Sequence, residues 1–133
     1  MKNLRNVLLI LGLMVSLSAC NKQLDKGKLI GKWNYIKVEY LREDPPVVQE
    51  GKELEEKHPY LLLSADGNAS IFSEDKIISE GKYHIEGDIV RYEEMLEGNI
   101  RRKIPFLIKT LDEKNLIFET MDKNTIRITA VKD

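Results

Sequence analysis

Short runs of alternating hydrophobic and polar residues cover most of this chain from residue 34 onward, and polar turns separate them. A period of two is typical of strands with one buried face, because successive side chains point to opposite sides. The pattern predicts eight strands, at residues 34–41, 60–65, 68–73, 76–85, 89–94, 100–111, 115–120 and 125–131. After the first connection all the turns are short, and Asp66-Gly67 is a strong hairpin signal.

Two of the strands contain an irregularity in this pattern. Ile36, Val38 and Tyr40 share one face of the first strand, whereas Trp33 and Tyr35 fall on the opposite parity. Facing both sets inward requires a bulge near Tyr35. In the fourth strand, Gly81 predicts a bend or a close approach of another backbone.

The long connection at residues 43–59 interrupts the strand pattern. Pro45-Pro46 cannot continue a hydrogen-bonded ladder. The following residues, VVQEGKELEEKH, predict one or two helical turns with Gly51 as a weak point. We expect this partly helical loop to lie as a lid across one end of the sheet, because long connections in compact domains often cover something.

Eight sequential strands joined by hairpin turns predict an all-β, antiparallel meander. Such a meander buries its edges when it closes on itself. An up-and-down eight-stranded barrel is therefore the expected fold, and an open two-sheet sandwich is the alternative.

The N-terminus has a different pattern. Lys2 and Arg5 precede an apolar run at residues 7–15, and the chain's only cysteine, Cys20, follows Ser18 and Ala19. An apolar run of about ten residues is too short to span a bilayer, which takes about 20. These features favour a cleaved signal helix, and an uncleaved anchor helix is the alternative.

The stretch Leu17-Ser18-Ala19-Cys20 resembles the lipobox of bacterial lipoproteins. The resemblance implies removal of residues 1–19 and attachment of a diacylglycerol and an N-acyl chain to Cys20, which then anchors the protein to a membrane. Residues 20–28 become a lipidated linker and residues 29–133 the barrel domain. Asn21 is not the inner-membrane retention signal of that family, and Lys22 to Asp25 poorly match its surface-export signals. The outer membrane, on its periplasmic face, is therefore the expected location.

The composition argues against several classes of function. The net charge is −1 without a block of like charge, which gives no basic surface for nucleic acid. His58 and His84 are the only histidines, and their separation does not suggest a metal site. No Gly-x-Ser-x-Gly or Ser/His/Asp set suggests an enzyme. We expect a monomer without catalytic residues, metal or further cofactor.

Four motifs follow one another along the predicted domain. They are Gly31-x-Trp33, Leu63-x-x-Asp66-Gly67, Gly81-x-Tyr83-x-Ile85-x-Gly87-Asp88 and Leu111-x-x-x-Asn115-Leu116. Over roughly residues 29–131 they resemble the lipocalin-like lipoproteins of Bacteroidetes-type bacteria. The resemblance implies a barrel that holds a small hydrophobic or amphipathic ligand. In lipocalins an arginine of the last strand covers the first-strand tryptophan; Arg127 is the matching candidate, although its parity directs it outward.

The sixth predicted strand carries the best candidate for ligand contact. Arg102 shares its parity with Ile104, Phe106 and Ile108, and would lie at the barrel's mouth near Tyr92. A buried guanidinium needs an acid, water or an anionic ligand. The alternative is an Arg102 beyond the rim, solvated or paired with Glu93 or Glu94, which otherwise read as solvated acids.

Trp33 and Tyr83 complete the candidate ligand-binding set, although these aromatic residues can equally be plain core. Barrels of eight strands can be filled by side chains or hold one small ligand. The chain is therefore either a ligand-binding module or a filled-core structural module that interacts through its surface or the 43–59 segment. A cavity of about 300 Å³ or more would favour ligand binding.

Overall fold

A computed structural model describes residues 23–133; the predicted signal helix and Cys20 lie outside them. The described residues form nine strands, two short α-helices and one 3-10 turn. In chain order these are α1 (Lys26–Leu29), β1 (Gly31–Tyr40), β2 (Val47–Glu50), α2 (Lys52–Lys57), β3 (Tyr60–Leu63), β4 (Asn68–Ser73), β5 (Lys76–Glu86), β6 (Ile89–Leu96), the 3-10 turn (Glu97–Asn99), β7 (Ile100–Leu111), β8 (Asn115–Thr120) and β9 (Ile126–Lys132).

Eight of these strands close into an antiparallel barrel. From β3 to β9 each strand pairs with its sequence neighbours, and β1 joins the two ends of the sheet. Residues Gly31–Asn34 of β1 pair with β3, and Trp33–Tyr40 pair with β9. The predicted up-and-down barrel is confirmed, and the open sandwich is wrong because the first and last strands are hydrogen-bonded to each other.

One strand, β2, was not predicted from the sequence. Residues Val47–Glu50 pair with Lys37–Tyr40, on the side of β1 that β3 leaves free. The helical interpretation is correct for Lys52–Lys57 but wrong for Val47–Glu50. The β-branched Val47 and Val48 suit a strand, and the open edge of β1 supplies the backbone partners that a local sequence pattern does not reveal.

The predicted bulge in β1 is present. Its pairing with β9 shifts register between Tyr35 and Lys37, which leaves Ile36 as the extra residue. Trp33 and Val38 consequently both face the core, at 0% and 8% exposure, whereas Ile36 is exposed. The expectation that Ile36 shares the buried face of Val38 is therefore wrong, because the bulge changes the parity between them.

One end of the barrel is closed by α1. Asp25 caps this helix by accepting a hydrogen bond from the Gly27 backbone N–H at 2.9 Å. Leu29 is fully buried, and its carbonyl accepts a 2.8 Å hydrogen bond from the Trp33 indole nitrogen Nε1. At the same end, the Tyr83 hydroxyl donates to the Ser64 carbonyl at 2.6 Å. Hydrogen bonds from Trp33 and Tyr83 to the Leu29 and Ser64 carbonyls thus stabilise the closed end.

The cation over Trp33 comes from the last strand but is not Arg127. The Lys132 Nζ lies 5.1 Å from the centre of the Trp33 ring and donates to the Lys28 carbonyl at 2.9 Å. Arg127 instead faces outward, where its Nε donates to Glu119 Oε2 at 3.0 Å. The outward orientation expected for Arg127 is confirmed, and the cation over the Trp33 ring is a lysine.

Candidate functional site

A cup of about 530 Å³ occupies the end of the barrel opposite α1. Its apolar floor consists of Tyr35, Ile71, Phe106, Phe118 and Ile128. These side chains come from five different strands and face inward by the alternation of the pleated sheet. The half of the barrel nearer α1 contains the fully buried Leu29 and Trp33.

The aromatic residues hold one another in place around this floor. The Phe106 and Phe118 ring centres are 4.8 Å apart, and Tyr92 lies 5.6 Å from Phe106. Tyr35 meets Phe118 edge-on at 6.3 Å. Such tilted and edge-on contacts are favourable arrangements for aromatic quadrupoles. The floor is therefore a preformed apolar surface.

Four polar side chains converge on one wall of the cup. Ser79 lies on β5, Tyr92 and Glu94 lie on β6, and Arg102 lies on β7. Ser79 Oγ donates a hydrogen bond to Glu94 Oε2 and lies 2.6 Å from the Tyr92 hydroxyl oxygen. A carboxylate only accepts, so the Ser79 proton is committed to Glu94 and the Tyr92 hydroxyl donates to Ser79. The hydrogen bonds thus run from Tyr92 through Ser79 to Glu94.

Glu94 is the only buried charged residue in the described chain, at 6% exposure. It lies directly opposite Arg102 in the β6–β7 register, and Arg102 Nη2 is 2.7 Å from Glu94 Oε1. This contact is an ion pair at hydrogen-bonding distance, although no N–H within residues 23–133 is aligned on Oε1. Because the Arg102 side chain is 62% exposed, solvent screens this pair and the buried carboxylate is only partly compensated.

Burial also acts on the two phenols of the cup. It raises the pKa of the Tyr35 hydroxyl well above its usual value, and the neighbouring Tyr92 raises it further. The pKa of Tyr92 is raised mainly by burial, an effect that its hydrogen bond with Ser79 partly offsets. Both tyrosines therefore stay protonated at neutral pH.

A Tyr35→Phe substitution is expected to flatten the alkaline side of the stability profile. A tyrosine in the unfolded chain ionises near pH 10, whereas folded Tyr35 keeps its proton. The contribution of Tyr35 to the free energy of unfolding is therefore fully present below pH 10 and declines above it. The wild type should lose roughly 1 kcal/mol more per pH unit above pH 10 than the variant. Urea unfolding at several pH values from neutral to alkaline would measure this, and parallel curves would contradict it.

The structure brings together two of the predicted ligand-contact residues. Tyr92 and Arg102 both line the cup, whereas Trp33 and Tyr83 pack at the closed end and do not line it. Arg102 lies at the mouth, as its parity suggested, and is also paired with Glu94. Cys20 lies outside the described residues.

Sequence analysis did not place Glu94 or Ser79 in the site, although it named Glu94 as a possible partner of Arg102. Glu94 was expected to be a solvated charge, which is wrong because it points into the barrel with Val90 and Tyr92. The signal was available, since these three residues share one parity on β6 and Glu94 is the cross-strand neighbour of Arg102. Ser79 carries no comparable signal, because a register shift between β4 and β5 sets its direction.

The outer grooves of the part of the chain that the structure describes fit a ligand less well than the cup. A groove of about 630 Å³ crosses the outside of β4–β6 around Gly81, but its Glu93–Arg101 pair is exposed and it has no aromatic floor. Residues 23–133 contain no group of three histidine, cysteine or acidic side chains placed to hold a metal. No helix in this part of the chain is long and apolar enough to cross a bilayer.

Comparison with known proteins adds no relative. No protein-family model matches the chain, and a search of curated proteins finds no match.

Proposed function

We propose that this protein is a membrane-anchored lipoprotein of the cell envelope whose barrel binds a small hydrophobic or amphipathic ligand. The cup carries this proposal, because its volume of about 530 Å³ lies within the range of small-molecule sites, roughly 300–1,000 Å³. An apolar floor with a few convergent polar groups is the usual composition of such sites. Ligand would lie on the aromatic floor with its polar end near Glu94 and Arg102.

The anchoring part of the proposal rests on the sequence. The apolar run at residues 7–15 and the lone Cys20 resemble a lipobox signal, and the domain motifs resemble lipocalin-like lipoproteins. A diacylglycerol and an N-acyl chain on Cys20 would hold the protein firmly, because more than one chain is needed for stable anchoring. The proposed location is the periplasmic face of the outer membrane, and the proposed form is a monomer.

A second candidate is a surface-interaction module without ligand. One observation favours it: among the described residues β2 pairs only with β1, and its Val47 and Val48 are 42% and 44% exposed. A strand with a free edge and exposed apolar side chains can accept a strand from another chain. This candidate leaves the cup without a role, which is why ligand binding is the first proposal.

Filling the cup tests the proposed ligand binding. An Ile71→Trp substitution places a large ring on the floor and should weaken binding of the neutral fluorescent probe N-phenylnaphthylamine about tenfold or more. The matched control is Leu62→Trp, on the neighbouring β3, where the side chain is 39% exposed on the outer face. The full chain would be purified from its host and held in lipid nanodiscs, with empty nanodiscs measured to subtract partitioning.

Equal probe binding by Ile71→Trp and the wild type would contradict a ligand site in the cup. Native mass spectrometry of the same preparations gives an independent readout, since a retained lipid-like mass should be present in the wild type and in Leu62→Trp and absent from Ile71→Trp. A wild type that never retains such a mass or binds the probe would favour the surface-interaction module.

A further inference from the structure

Neither hydroxyl on the polar wall of the cup has a proton free for a ligand. The Tyr92 hydroxyl donates its hydrogen bond to Ser79 Oγ, and the Ser79 hydroxyl donates its own to Glu94. Glu94 Oε1 is buried and lies 2.7 Å from Arg102 Nη2, but no N–H within the described residues is aligned on it. A ligand that supplies an aligned donor would therefore add a hydrogen bond to the existing ion pair.

The charges at the mouth do not favour an anion. Arg102 is already paired with Glu94, and the other two charged residues that line the cup, Lys103 and Asp122, are of opposite sign. A carboxylate or phosphate entering the cup would meet the buried Glu94 charge at short range, where repulsion is poorly screened. This argues against the negatively charged head group that the sequence suggested for Arg102.

From these contacts we infer that the ligand is an amphiphile whose polar end is a hydrogen-bond donor, a hydroxyl or an amine, held by Glu94 Oε1. The inference rests on the proposed ligand-binding function and specifies its ligand class. The apolar chain lies on the Phe106 and Phe118 floor, and the donor reaches the wall at Glu94. Arg102 acts as a positioning residue that holds the carboxylate in place.

A series of ligands with the same alkyl chain tests the inference. Dodecanol and dodecylamine carry donors, methyl dodecanoate carries only acceptors, and dodecanoate carries a negative charge. Each would displace N-phenylnaphthylamine from the full chain in lipid nanodiscs, with empty nanodiscs as the partition control. The two donor ligands should displace the probe at concentrations about tenfold lower than the other two, the effect of one hydrogen bond to a charged group.

A Glu94→Leu substitution should remove this preference, so that the four ligands displace the probe within about twofold of one another. The matched control is Glu93→Leu, the neighbouring residue that faces outward and pairs with Arg101; it should keep the donor preference. Circular dichroism and unfolding midpoints check that both variants fold. The ranking in the wild type tests the inference even where Glu94→Leu does not fold.

The outcomes separate this inference from the function on which it rests. Stronger displacement by dodecanoate, or a donor preference that survives in folded Glu94→Leu, overturns the donor inference and leaves a ligand-binding cup. Equal displacement by all four ligands in the wild type also overturns it. Failure of the probe to bind, or to be displaced by any of them, overturns the proposed ligand site itself.

Discussion

Replacing Trp33 by alanine is expected to lower the free energy of unfolding by about 3–5 kcal/mol. The side chain is fully buried at the closed end, and alanine would leave a cavity that the hydrogen-bonded strands around it cannot collapse to fill. The substitution also leaves the Leu29 carbonyl without its indole donor and Lys132 without its aromatic partner. Urea unfolding followed by far-ultraviolet circular dichroism measures the change.

Two further variants separate the causes of this loss. Trp33→Phe keeps an aromatic ring but removes the donor to Leu29, and should cost about 1–3 kcal/mol. Ile36→Ala, on the same strand but 46% exposed, should stay within about 0.5 kcal/mol of the wild type. A Trp33→Ala protein as stable as the Ile36→Ala protein would show that the indole does not support the closed end.

Gly81→Ala is expected to destabilise the barrel by about 3 kcal/mol or more, at the upper end of overpacking effects. A methyl group at this position would overlap the Glu93 carbonyl oxygen on the neighbouring β6, and backbone atoms cannot rotate away. The sign of this change in stability is informative, because alanine in a strand with free space around it is normally favourable relative to glycine. The predicted close backbone approach at Gly81 is thus the reason for the glycine.

Lys82→Ala is the matched control for Gly81→Ala. The two residues are adjacent on β5, but Lys82 is exposed and its truncation should change stability by no more than about 0.5 kcal/mol. Amide hydrogen exchange adds a local readout, since Gly81→Ala should increase exchange most strongly in the β5–β6 pairing. A Gly81→Ala protein that is as stable as the wild type would contradict the tight packing of β5 against β6.

Predictions from the sequence succeeded best for features that depend on the alternation of neighbouring hydrophobic and polar residues. The eight barrel strands and the bulge near Tyr35 were predicted because a period of two and its interruption can be read from neighbouring residues. Closure followed from the number of strands and the need to bury their edges. The inward parity of Arg102 was predicted in the same way, and it located one wall of the cup.

The missed features depend on contacts between distant residues. β2 forms because β3 leaves half of the β1 edge free, and only the folded sheet shows this. The cation over Trp33 is Lys132, and only the pairing of β1 with β9 places it directly opposite Trp33. The buried state of Glu94 depends on Arg102 across the sheet, and the size of the cup depends on how completely the inward side chains fill the barrel.

The chain joins the barrel at its closed end, where the Leu24 backbone N–H donates to the Gly87 carbonyl at 3.2 Å and α1 begins two residues later. The proposed lipid anchor on Cys20 would therefore hold the barrel by its closed end and turn the mouth of the cup toward the aqueous compartment. In that orientation the ligand would be exchanged with soluble carriers or with other proteins of the envelope. It would not enter directly from the membrane leaflet that holds the lipid anchor.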